Sequence, residues 1–195
     1  LVERKFFRYI LIVIIASMFH KSALFSLTFL IFSSLQISSI VWFVALAASP
    51  FLAKYVLPLI SSFILPVYLG YLEPTEVTEG TKAIYFFVIL AFIMIIFRQK
   101  IIKGEYRYLV LYNIYMFGVC FYITFIDFGT LGHRLSLYST ILAIIFFPAI
   151  SALIIEIRIK LFFKFICCFL LAALFFYSLS ILREAYIPYL TVLEI

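Results

Sequence analysis

RLSLYSTILAIIFFPAISALII, residues 134 to 155, opens on one arginine and then runs from Leu135 to Ile155 without another Asp, Glu, Lys or Arg. A helix needs roughly 20 such residues to cross the ~30 Å hydrocarbon core of a bilayer. The stretch reads as a membrane-spanning helix, and the rest of the chain agrees with it. Of its 195 residues 67% are hydrophobic and 12% charged, with 25 Phe and 14 Tyr and a mean hydropathy of +1.25. Soluble domains are about half apolar and a quarter charged, and a surface this poor in charge would expose large apolar patches to water. A soluble domain is excluded. The expected fold class is all-α: a polytopic transmembrane helical protein with broken or re-entrant helices, residues 1–195 forming one integral membrane domain.

Apolar runs fall at Phe6 to Phe19, Ser22 to Phe32, Ile37 to Gly70, Lys82 to Phe97, Tyr106 to Ile126, Arg134 to Ile155 and Leu161 to Leu182. The last three have full spanning length. The first two are short, so they either thin the bilayer or are partly re-entrant. Ile37 to Gly70 is too long for one straight span; Pro50, Pro58 and Pro66 each remove a backbone donor and predict a kinked helix or a broken pair.

The net charge of +6 comes from Lys and Arg in short breaks between apolar runs. It forms no basic stripe with exposed aromatics, so nucleic acid is not an expected partner. It sets topology instead. ERKFFR (3–8), RQKIIKGEYR (98–107) and RIKLFFK (158–164) are expected on the cytoplasmic side. EPTEVTEG (73–80), IDFGTLGHR (126–134) and REAYIPY (183–189) then share the outer face. On the same path His20 and Lys21, in SMFHKSALFSL (17–27), lie at or just below the outer interface, as snorkelling groups or as part of a site. Cys120, Cys167 and Cys168 sit in apolar segments with no ligand spacing, and read as packing residues.

Chemistry concentrates on that outer face. Asp127, His133 and Arg134 lie within eight residues, and Arg134 with Tyr138 makes an i, i+4 pair at the expected start of a helix. A guanidinium binds phosphate oxygens bidentately, and a helix N-terminus adds unpaired N–H groups and partial positive charge. Arg134 could equally be an interfacial residue paired with Asp127, and Tyr138 an interfacial anchor. Glu73, Glu76 and Glu79 cluster in the preceding outer loop, where a carboxylate could act as a base or bind a hydroxyl. No Asp-rich metal motif, phosphate-cradling glycine loop or nucleophile elbow is present.

FFRYILIVIIASMFHKSAL (6–24) resembles the "fHksAl" segment of the EpsG/Wzy-type polysaccharide polymerases. GHRLSLYSTILAIIFFP (132–148) is similar to that family's late "R-l-s-x-Y" helix, which ends in a proline, and the two occur in the family's order. Family members are nearly twice as long, so the chain is expected to be the C-terminal part of a longer polymerase. The resemblance implies a GT-C-like, multi-pass glycosyltransferase of the bacterial cytoplasmic membrane. It would join undecaprenyl-diphosphate-linked oligosaccharide repeat units at the outer leaflet into capsule, exopolysaccharide or O-antigen, without nucleotide sugar. Implied partners are that lipid-linked oligosaccharide, membrane lipids, and chain-length regulator and flippase proteins.

His20, Lys21, Arg134 and Tyr138 are the positions matching the family pattern, without individual roles. Chemistry suggests Arg134, assisted by Lys21 and His20, as cations stabilising a departing diphosphate, with no metal or other cofactor required. His133, Asp127 or an outer-loop glutamate (Glu73, Glu76) could serve as the base. The competing class is a flippase or exporter of lipid-linked oligosaccharides, which would place ionisable groups through the membrane centre. Lys54 is the residue that keeps it open.

Overall fold

A computed structural model describes residues 5–19, 21–33, 35–61, 83–102, 105–127 and 129–186, and every regular element among them is helical. Nine α-helices are described: α1 (Phe6–Phe19), α2 (Phe29–Ser33), α3 (Ser39–Ser61), α4 (Ala83–Ile96), α5 (Arg98–Ile102), α6 (Tyr106–Thr124), α7 (Gly129–Thr140), α8 (Ala143–Leu153) and α9 (Ile157–Tyr186). A 3₁₀ helix, Lys21–Thr28, links α1 to α2. The chain forms two compact units, residues 1–146 and 147–195.

In the first unit α6 is the axis, packed against α2, α3, α4, α5 and α7. Its Tyr112, Asn113, Tyr115, Met116 and Val119 are fully buried. Two stretches among the described residues are long and apolar enough to cross a membrane, Ser39–Val56 and Leu135–Leu153. The 106–126 run, expected to span, does not meet that test. It carries five tyrosines, Arg107 and Asn113, and much of that polarity is spent inside the protein. Tyr115 donates to Phe87 O at 2.9 Å. Asn113 accepts from Trp42 Nε1 at 3.1 Å and donates to Phe32 O at 3.2 Å and Leu35 O at 2.7 Å. One amide therefore ties α6 to α3 and to the end of α2, in a setting where no water would satisfy those groups.

α3 is helical without interruption through Pro50 and Pro58, so no broken pair occurs before Ser61; Pro66 lies outside the described residues. Trp42, Leu46 and Ser49, at helical spacing, are buried, while Ile40, Val41, Val44, Phe51 and Tyr55 stand exposed. Phe7, Met18 and Phe19 of α1 are likewise more than three-quarters exposed. Apolar surface on this scale needs lipid to cover it.

The short runs at the start form a helical hairpin. Tyr9 of α1 donates to Ser26 O of the 3₁₀ helix at 2.6 Å, so the legs are antiparallel. The 14-residue α1 rises about 21 Å, less than the ~30 Å hydrocarbon core. Lys5 and the 35–38 connection thus share one end of the unit, and Arg98 Nη2 reaches Ile37 O there at 3.0 Å. Lys5 and Arg98, from two of the three basic stretches, therefore lie at that end.

The 134–155 run is not one uniform helix but is divided at Ile141–Leu142. Ser139 and Thr140 hydroxyls bond back to Ser136 O at 2.8 and 3.1 Å, and Ile144 and Ile145 donate to carbonyls three residues earlier. Pro148 lacks the N–H that would bond residue 144. Back-bonding hydroxyls and a proline are the two features that disturb the regular four-residue bonding there.

In the second unit α9 covers the 161–182 run without a break, 30 residues or about 45 Å. Its first turns expose Arg158 and Lys164 beside Phe162 and Phe165, the mixture found where a helix enters an interface.

Candidate functional site

Eight residues is long for a 3₁₀ helix, whose bonds are poorer than those of an α-helix. Two features hold this one. Ser26 and Thr28 hydroxyls bond to the carbonyls of Ala23 and Phe25, each at 2.7 Å, following its three-residue period. Phe25 lies 4.7 Å from Phe121 and 5.9 Å from Phe117, centroid to centroid, and Phe32 stacks on Phe117 at 4.4 Å. This aromatic ladder fixes the segment against α6. The start of the 3₁₀ helix, Lys21 and Ser22, is thereby brought to α7.

α7 is placed by two glycines. A Cβ at Gly132 would stand 2.5 Å from Phe125 O and 3.0 Å from Phe125 C, backbone atoms that cannot rotate aside. A Cβ at Gly118 would collide with the Ser139 side chain. Both positions need glycine for close helix approach. Gly132, expected in a turn, lies inside α7; the turn occupies Phe125–Asp127.

The two segments meet in one polar contact. Ser22 Oγ and Tyr138 OH share a hydrogen bond of 2.8 Å across 116 residues. Lys21 immediately precedes Ser22, and Arg134 stands one turn before Tyr138 in an unbroken helix, so the backbone brings both cationic positions to this junction. Nothing is described of the Lys21, His133 and Arg134 side chains. His20, Glu73, Glu76 and Glu79 lie outside the described residues.

Two expectations change. α7 begins at Gly129, so Arg134 sits in its second turn and the free N–H groups of the helix start lie before it. Asp127 is exposed in the turn, and Tyr138 is nine residues, about 13 Å, along α7 from Gly129. Asp127 is therefore not gathered with the Ser22–Tyr138 pair. The junction lies well down α7, as the short α1 hairpin requires. Ser22 is the residue missed among the candidates, although it belongs to the quoted His-Lys-Ser-Ala match.

Lys54, on which a transport path would depend, is exposed on α3 with Nζ 4.8 Å from the Tyr55 ring, outside the packed interior. Among the described residues no three His, Cys, Asp or Glu side chains converge as metal ligands would.

A family model matches residues 1–191, spanning both motif segments and the helices between and after them. The chain belongs to the EpsG family. No curated protein and no solved structure matches it. EpsG membership, with the exposed apolar helices, makes it a membrane protein of the polysaccharide-polymerase type. The two EpsG-like motifs, distant in sequence, are the two segments that touch.

Proposed function

We propose that the chain carries the site of a polysaccharide repeat-unit polymerase in the bacterial cytoplasmic membrane, joining undecaprenyl-diphosphate-linked oligosaccharides at the outer face. The observation that carries the proposal is the 2.8 Å bond between Ser22 and Tyr138, which joins the His-Lys-Ser-Ala segment to the Arg134–Tyr138 helix. The multi-pass, GT-C-like architecture belongs to the same proposal.

The chemistry follows. A hydroxyl oxygen of the incoming unit's terminal sugar bonds to the anomeric carbon of the growing chain. The bond from that carbon to the diphosphate oxygen breaks, and the lipid diphosphate leaves with the electron pair. The hydroxyl proton passes to a base, His20 or His133 being nearest in sequence to the junction. Charge grows on the leaving diphosphate, so cations fixed near it stabilise the transition state more than the ground state. Arg134 and Lys21 take that role, and Tyr138, held by Ser22, offers a hydroxyl to the same oxygens. Metal independence is part of the proposal, since a donor already activated as a diphosphate requires only fixed positive charge.

Purified protein given its lipid-diphosphate-linked repeat unit, without nucleotide sugar, is expected to yield a ladder spaced by whole repeats, with or without EDTA. Arg134→Ala should abolish the ladder and Arg134→Lys should weaken it. Wild-type ladders from both variants would overturn the cation assignment. A lipid-linked unit that crosses liposome membranes without polymerising would make the protein a flippase.

A further inference from the structure

From the Ser22–Tyr138 junction towards the other end of the α1 hairpin runs a cavity whose basic end glycosyl transfer does not use. It occupies about 680 Å³ between α1 and the α6–α7 pair, a volume in the range of ligand pockets. One wall is a single face of α1: Lys5, Arg8, Tyr9, Ile12, Val13 and Ala16, at the three- and four-residue spacing of one helical stripe. Across from it stand Ala23, Phe29, Ile114 and Leu142, with Tyr138 at the far end. The lining is mainly apolar, with Tyr9 and Ser26 hydrogen-bonded to each other part-way along it, and among the described lining residues the Lys5–Arg8 end carries two cations and no carboxylate. Tyr9 N bonds Lys5 O at 3.1 Å, so Lys5 continues the helical register of the stripe. Among the described residues Arg8 makes no hydrogen bond or ion pair, and it is exposed.

Length and charge together name the occupant. From Lys5 to Ala16 the helix rises about 16 Å, and one leaflet's hydrocarbon is about 15 Å deep, half of the core. We infer that this cavity binds one anionic phospholipid of the leaflet at the basic end, its phosphate at Lys5 and Arg8 and one acyl chain laid along Ile12, Val13 and Ala16. Basic groups beside a membrane draw anionic headgroups, and the paired donors of Arg8 suit phosphate oxygens. The sugar-carrying lipid has the wrong polarity for this site. Its diphosphate belongs with Lys21 and Arg134 at the opposite end of α1, which would leave only an isoprenoid tail facing two cations. The exclusion of the sugar-carrying lipid rests on the proposed function; the match of a basic-ended apolar cavity to an anionic phospholipid does not.

The experiment is native mass spectrometry of the purified protein with phosphatidylglycerol and phosphatidylcholine of identical acyl chains. Wild type should bind one phosphatidylglycerol about 30-fold more tightly than phosphatidylcholine, the effect of two interfacial cations. Lys5→Gln combined with Arg8→Gln should remove that preference, and Ala16→Trp, which fills the chain-binding part and leaves the cations, should weaken retention of both lipids. Equal binding of the two lipids by wild type overturns the inference, as does a preference that survives the double substitution. So does undecaprenyl phosphate displacing phosphatidylglycerol in a manner dependent on Lys5 and Arg8. Should the double variant fail to elute as a single species, the wild-type comparison and Ala16→Trp decide.

Discussion

Where α7 meets α6 the backbones come so close that glycine is required at 118 and 132, whereas where α1 faces α6 a cavity of about 680 Å³ is left open. The Ser22–Tyr138 bond joins these two regions. On one side Tyr138 is carried by a helix seated so closely that neither its own Gly132 nor the facing Gly118 has room for an added methyl group. On the other, only Val13 of α1 is buried, against ten residues of α6, and Ser22 opens a 3₁₀ helix held by phenylalanines. Close packing resists displacement because its parts have no other low-energy arrangement, while an element with few buried contacts opens at lower cost. The contrast makes α7 the close-packed member of the junction and α1 the loosely packed one.

Substitutions on the two sides should separate sharply. Gly132→Val is expected to cost roughly 3 kcal/mol or more, because Phe125 O is main chain and cannot turn away. Detergent-solubilised protein should give little folded material by size exclusion, and a normal yield would break the account of the seam. Asn113→Ala strips partners from Trp42 Nε1 and the carbonyls of Phe32 and Leu35. The loss should be about 2 kcal/mol in thermal unfolding, moderated because a chain unfolded within the membrane finds other partners. Gly118→Ala should cost about 2 kcal/mol: the Ser139 hydroxyl can rotate away, giving up its bond to Ser136 O, but its Cβ, 2.5 Å from the added methyl, clears only if α7 shifts. Ile12→Ala, on the cavity wall and 64% exposed, should shift stability by less than about 0.5 kcal/mol. An Ile12→Ala effect as large as that of Gly118→Ala would mean that the cavity is closed by packing, and the contrast would fail.

The same contrast explains what could be read early. Phe6–Phe19 and Lys82–Phe97 were legible as helices because hydrocarbon demands an apolar run of helical length, and α1 and α4 occupy those runs almost residue for residue. Ser22–Phe32 satisfied the same criterion yet folds as a 3₁₀ helix followed by one short α-helix. What separates the outcomes is local: Ser26 and Thr28 offer hydroxyls to carbonyls three residues back, and Phe25 and Phe32 find rings on α6. Tyr106–Ile126 forms one 19-residue helix, α6, as its length implied, but what its polar residues do was not legible. Its tyrosines and Asn113 lower its apolar character, and only the surrounding helices show that they face protein.

The sequence by itself determined that this is a helical membrane protein and, through the His-Lys-Ser-Ala and Arg134–Tyr138 motifs, which family it joins. Those properties rest on side-chain solvation and local order, which are written residue by residue. Only the tertiary structure decided that Ser22 touches Tyr138, that Asp127 stands apart from them, and that a basic-ended apolar cavity runs along α1. Each depends on how closely helices distant in sequence approach one another. That distance is set by Gly118, Gly132, Asn113 and the phenylalanine ladder acting together around α6.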